Sequence, residues 1–121
     1  FLKLDAITLS FKELYPTKKI TAIFQPHLFS RTQDFVNDFA ESLAKFDQLM
    51  LLEIYPAREK PIEGVSSSWL LSKINLDDKK VITKEQLLIE IAQMNIEVLV
   101  MIGAGDIGEL VDPVGKILES K

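Results

Sequence analysis

The sequence predicts an α/β fold of three layers: a mostly parallel sheet with helices on both faces. Three observations carry this. Short apolar runs alternate with segments whose apolar residues recur at helical spacing. The runs are apolar almost throughout, as in strands covered on both sides. Successive runs are also far enough apart for a crossover helix, the connection that parallel strands require.

The elements follow in order. Leu4, Ile7, Phe11 and Leu14 give a helical stripe over residues 5–15, closed by Pro16. Residues 20–24 read as a short buried first strand, and residues 25–30 as a loop broken by Pro26. Ser30 with Gln33 forms a capping box for a helix whose apolar stripe is Phe35, Val36, Phe39, Ala40 and Leu43. Residues 49–54 are the second strand, and residues 55–64 a loop punctuated by Pro56, Pro61 and Gly64. Ser66, Ser67 and Ser68 offer N-caps to a helix turning Trp69, Leu70 and Ile74 inward. Val81 and Ile82 form a short third strand, and Thr83 with Gln86 repeats the capping box ahead of Leu87, Leu88, Ile91 and Ala92. Residues 97–102 are the fourth strand, and Gly103 opens a turn into a last helical stretch. Pro113 should kink or restart that stretch, with Asp112 as a new N-cap.

Composition narrows the function classes. At 121 residues, with 47% hydrophobic and 26% charged residues, the chain suits one globular domain spanning residues 1–121. No apolar run approaches the ~20 residues of a membrane-spanning helix. The absence of Cys excludes disulfides and thiolate metal sites, and a single His leaves no histidine-pair metal motif. A net charge of −4 argues against nonspecific binding to nucleic acid or anionic membrane. The chain begins at Phe1 with no signal-peptide pattern, and a piece of a longer protein is the expectation.

Topology locates the site. Right-handed crossovers make 3-2-1-4 the simplest strand order, with the switch between strands one and four. Ligands of open α/β sheets bind at the carboxyl ends of the strands flanking such a switch. Those ends are the loops at residues 25–32 and 103–108.

Gly103, Gly105 and Gly108 spell GxGxxG. A nicotinamide-dinucleotide-binding module is one reading. It lacks support downstream, because only 13 residues follow Gly108 and none lies on a further strand that would carry the ribose-binding acid. Asp106 would also set a carboxylate where a pyrophosphate belongs, whereas it complements the helix dipole if the glycines form a packing turn. The packing turn is therefore the expectation. His27, Ser30 and Arg31 are equally compatible with a surface loop and with a carboxylate- or phosphate-binding corner, for which the planar fork of Arg31 is suited. The run from Tyr55 to Ile62, with Arg58 and Glu59, reads as a rigid proline-bounded loop. Trp69, Met50, Met94 and Met101 sit at core spacing and receive no ligand role. A receiver-like signalling domain would want an acidic cluster where Gln25-Pro26-His27 stands. No catalytic triad, carboxylate pair or phosphate loop completes an active site.

Three stretches together resemble the last domain of the Mur ligase family: Phe24 through Thr32, Glu53 through Val65, and Gly103 through Gly108. The match follows the family's order and spacing over nearly the whole chain. The loop at residues 24–32 resembles the alanine-adding branch more than the murein-peptide recycling ligase. The resemblance implies a Rossmann-like third domain of a cytoplasmic, ATP-dependent amide ligase of peptidoglycan biosynthesis, a process tied to cell shape and division. It implies L-alanine, UDP-N-acetylmuramate and ATP with Mg2+ as partners, the nucleotide and metal held mainly by other domains, and no nucleic acid or membrane. The family forms an acyl phosphate on the sugar's lactyl carboxylate, which the amine then attacks. His27 and Arg31 are implied as catalytic residues. His27, Ser30, Arg31, Arg58 and Glu59 are implied as substrate-binding, and Gly103, Gly105 and Gly108 as the structural turn. This chain has Leu28 where many relatives carry a basic residue, and it lacks the family's His-rich loop before Leu4.

Overall fold

The central strand decides the architecture, because every one of its six residues is buried. In the computed structural model, which describes residues 2–103 and 105–120, β1 (Ile20–Gln25) lies between β2 (Gln48–Leu51) and β4 (Val98–Gly103), with β3 (Lys79–Val81) outside β2. The order is β3-β2-β1-β4 and every pairing is parallel, as crossover handedness predicts. Ala22 is opposite Leu49 on one side and Val100 on the other.

Alternation along β1 feeds two cores. Ile20, Ala22 and Phe24 join Leu49, Leu51 and Val100 on one face. That face is covered by α1 (Leu2–Leu14) through Ile7 and Phe11, by α3 (Val36–Leu43), and by α4 (Ser67–Ser72) through Leu70. Ile23 faces the other way and packs with Met50, Leu52 and Ile82 beneath α5 (Lys84–Gln93) and α6 (Val111–Glu119). The three layers follow. Met50 is fully buried, and Met94 and Met101 pack at the margin of this second core. Leu4 of the first stripe and Asp106 have side chains outside the described residues, as is Ala104.

Local signals were obeyed where they met no competitor. The Ser66 hydroxyl accepts from the Trp69 amide (3.1 Å) to start α4. Thr83 and Gln86 form the reciprocal capping box of α5, at 3.1 and 3.2 Å. Trp69, expected inward, is half-buried with the Lys73 ammonium 6.0 Å from its ring centroid, and Ala92 is exposed.

Other expectations are corrected. The helix assigned to the Ser30–Gln33 capping box begins earlier, as α2 (Phe29–Asp34), with Leu28 at the N-cap position and no side-chain cap. Ser30 lies inside α2 because its hydroxyl bonds a carboxylate on another loop. The chain then breaks at Phe35 (φ −115°, ψ 25°), so one expected helix is two. Strand two closes at Leu51, although Leu52 still donates to the Phe24 carbonyl at 3.0 Å. Strand three starts at Lys79 rather than Val81. The last stretch opens with a 3-10 turn, η1 (Asp106–Leu110), and α6 starts at Val111 with Leu110, not Asp112, at its N-cap position. Pro113 is accommodated in the first turn of α6, where a missing N–H removes no helical bond.

Leu51 is fully buried in β2, whereas Ile89 on α5 is 60% exposed. Leu51→Ala should cost about 2–5 kcal/mol in urea unfolding, and Ile89→Ala about 0.5 kcal/mol or less. Equal costs would mean that the layers are not packed as described.

Candidate functional site

The site is built at the carboxyl end of β1, and its foundation is a side chain to which sequence reading gave no role. Gln25 is 3% exposed. Its Nε2 donates to the Glu53 carbonyl beyond β2 (3.1 Å), and its Oε1 accepts from the Ile107 amide in η1 (2.8 Å). One amide thus ties together the segments following β2 and β4. The only signal was a polar residue closing an apolar strand.

Beyond Gln25 the chain passes through buried Pro26 to His27, which forms a parallel bridge with Tyr55. The Tyr55 amide donates to the Pro26 carbonyl (2.9 Å), and the Leu28 amide donates to the Tyr55 carbonyl (2.8 Å). The imidazole and phenol rings lie 5.9 Å apart at 15°, within the range of aromatic stacking.

A second tie closes the same two loops. The Ser30 amide donates to Glu59 Oε1 (2.9 Å) and the Ser30 hydroxyl to Glu59 Oε2 (2.5 Å). These bonds, the hydroxyl's first and the amide's second, hold the Glu59 carboxyl below the usual carboxylate range. Burial opposes them, while the Phe29 amide and the nearby His27 add smaller effects in the same direction. Three non-glycine residues beside this latch adopt positive φ: Leu28 (69°), Ala57 (47°) and Arg58 (73°). Backbone strain of this kind clusters at functional sites and persists only where surrounding bonds impose it. The Thr32 hydroxyl adds one such bond, to the Leu28 carbonyl at 2.8 Å.

The structure therefore brings His27, Ser30 and Glu59 together, and the two carboxylate oxygens of Glu59 are occupied by Ser30. Arg31 projects from α2, exposed, and its guanidinium makes no ion pair or hydrogen bond among the described residues. Arg58 is exposed on the Glu59 loop.

The glycine turn is a packing device, but not against a helix. Gly103 has φ +141°, and a β-carbon there would lie 2.7 Å from the Gln25 carbonyl oxygen. Gly105 has φ +96°, and a β-carbon there would strike the Tyr55 ring, 2.6 Å from Cδ1. A side chain at Gly108 would meet open space. The Ile107 amide already serves Gln25, and a 3-10 turn follows in place of an α-helix N-terminus. That geometry disfavours a dinucleotide, whose pyrophosphate needs those amides free.

No family model matches the chain. Curated relatives named UDP-N-acetylmuramate–L-alanine ligase do. The protein from Flavobacterium psychrophilum is 51% identical over 119 residues, covering 98% of this chain and 27% of the relative. That from Christiangramia forsetii is 55% identical over 116 residues, covering 96% and 26%. Over nearly its whole length the chain is similar to these Mur ligases. It spans about a quarter of the length of these relatives. The crystal structure of UDP-N-acetylmuramate–alanine ligase from Thermotoga maritima shares the fold, with a TM-score of 0.60 at 21% identity over 97% of this chain and 23% of that one. The relatives favour the alanine-adding branch of the Mur ligases over both the recycling ligase and a nicotinamide-binding module.

The Glu59 latch fixes a pH dependence. The folded carboxyl ionises more readily than the unfolded one, so the latch stabilises above the unfolded pKa of about 4.3 and is lost as pH falls through the lower folded value. Acidification below about pH 4 should lower the urea midpoint more in the wild type than in Glu59→Gln. Parallel acid profiles for the two proteins would show that Glu59 carries no such linkage.

Proposed function

We propose that this chain is the carboxy-terminal, amino-acid-positioning domain of a cytoplasmic ATP-dependent ligase that joins L-alanine to UDP-N-acetylmuramate in peptidoglycan biosynthesis. The observation that supports it is the free guanidinium of Arg31, displayed at the β1–β4 switch point beside a latched corner, in a chain half identical to alanine ligases. No helix among the described residues is long and apolar enough to cross a membrane.

Arg31 is assigned the cationic role. Its planar fork holds either the carboxylate of alanine or the charge that develops on the acyl phosphate. His27, held against Tyr55, supplies polar contacts to the same substrates. Ser30 and Glu59, whose resemblance to the family implied substrate contacts, act here by holding the corner that presents His27 and Arg31. Arg58 borders the corner from the second loop.

ATP and Mg2+ do not fit the donor set of this chain. Among the described residues there is no metal-holding cluster of His, Asp and Glu side chains, and the sequence has no phosphate loop. Both are assigned to the remainder of the ligase, together with the UDP-sugar. The chain is one wall of the reaction chamber, and closure brings it to the others.

Arg31→Lys in the full-length ligase keeps the charge and loses the fork. Misplacement of the amine by about 1 Å should lower kcat/KM for alanine on the order of 10²-fold, while the stability change stays at about 0.5 kcal/mol or less. Arg58→Lys should have a smaller effect. Wild-type turnover by Arg31→Lys at subsaturating alanine would remove Arg31 from the site. The isolated chain should fold, show no alanine-dependent ATP hydrolysis and give no micromolar alanine affinity by calorimetry, since one wall makes too few contacts to immobilise so small a ligand.

A further inference from the structure

Tyr55 is the point at which both flanking loops meet the single imidazole of this chain. Its backbone brackets His27, accepting from the Leu28 amide and donating to the Pro26 carbonyl. Its ring lies nearly parallel to the imidazole, 5.9 Å away at 15°. Gly105 abuts the same ring, and a β-carbon built there would stand 2.6 and 2.8 Å from Cδ1 and Cδ2 and against Cγ. The Tyr55 hydroxyl makes no hydrogen bond among the described residues, so the aromatic plane makes these contacts.

We propose that Tyr55 is the positioning residue for His27, and that the glycine turn acts on the site through it. A half-buried loop histidine with two free side-chain torsions would sample several staggered rotamers. Stacking on a ring that is itself confined selects one of them. Gly105 is needed because its positive φ and the close approach of Tyr55 both exclude a side chain. A substitution there must move the ring, and the imidazole follows. The GxGxxG turn thus gains a role unlike phosphate cradling: it backs an aromatic shim between strand four's turn and the loop after strand one. The inference rests on the proposed ligase reading only in holding that the orientation of His27 matters to the reaction.

With one His in the chain, its ring protons are readable by NMR without ambiguity. In the wild type they should carry the ring-current displacement of a stacked imidazole. Tyr55→Phe keeps the ring and should preserve that displacement. Tyr55→Leu and Gly105→Ala should both abolish it while the methyl signals of Ile23 and Leu51 stay in place. A displacement unchanged in Tyr55→Leu, or unchanged in folded Gly105→Ala, would overturn the proposal. Should Gly105→Ala unfold the chain, a double-mutant cycle decides. Tyr55→Ala removes the atoms that the new β-carbon would strike, so Gly105→Ala should cost far less in that background, and equal costs in the two backgrounds would refute the coupling. In the full-length ligase Tyr55→Phe should retain kcat/KM for alanine and Tyr55→Ala should lose roughly 10²-fold. An abolished NMR displacement with undiminished turnover would instead count against the place of His27 in the reaction, leaving the positioning itself established.

Discussion

A buried amide at the end of the central strand must find partners, and the way Gln25 finds them organises the functional end of the molecule. Its neighbours are one carbonyl past β2 and one amide past β4, so a single side chain sets the spacing of three chain segments. Leaving such a group unpaired costs about 1–3 kcal/mol. The consequence propagates. Gly103 must approach the Gln25 backbone more closely than any side chain permits, and the turn that follows is directed toward Tyr55. The crevice is therefore shaped from beneath, by a residue that never needs to meet a substrate.

The loops above it are held by a different balance. Positive φ at Leu28, Ala57 and Arg58 costs of the order of 1–3 kcal/mol each. Most of the compensating bonds lie between the two loops, in the Tyr55 bridge around His27 and the paired hydrogen bonds from Ser30 to Glu59, and the Thr32 hydroxyl adds one to the Leu28 carbonyl. A charge-assisted pair of this kind is among the stronger hydrogen bonds in proteins. The corner is rigid because its strain and its bonds are co-located, and a rigid corner is what a positioning role demands. Arg31, left outside this network, is free to take a partner from elsewhere.

On the proposed reading, this division explains how an inert fragment serves a demanding reaction. The scaffold has two well-filled cores and could stand alone, yet the groups it offers form one side of a site. Supplying them on a separate body allows substrate binding to be completed by closure, with water excluded as the walls meet.

Much of this was legible in the chain before any fold was known. The four apolar residues of β1 and the apolar run of β4 cannot be satisfied except beneath helices on both faces, and the handedness of crossovers then leaves one simple order of strands. The switch point, and with it the loops bearing His27, Arg31 and the glycines, follows from that order. Local chemistry was reliable where it was self-contained, as in the Thr83–Gln86 box, whose two partners lie in the same turn. It failed at Ser30, where an equally good local signal was overruled by Glu59, 29 residues away. The roles of Gln25 and Tyr55 were likewise invisible, since each acts through groups distant in sequence. Sequence by itself determined the layers, the strand order and the place of the switch-point loops, because periodicity and handedness are short-range constraints. Tertiary structure alone decided which side chains there bind one another and which remain free, because that depends on loops meeting across the end of the sheet.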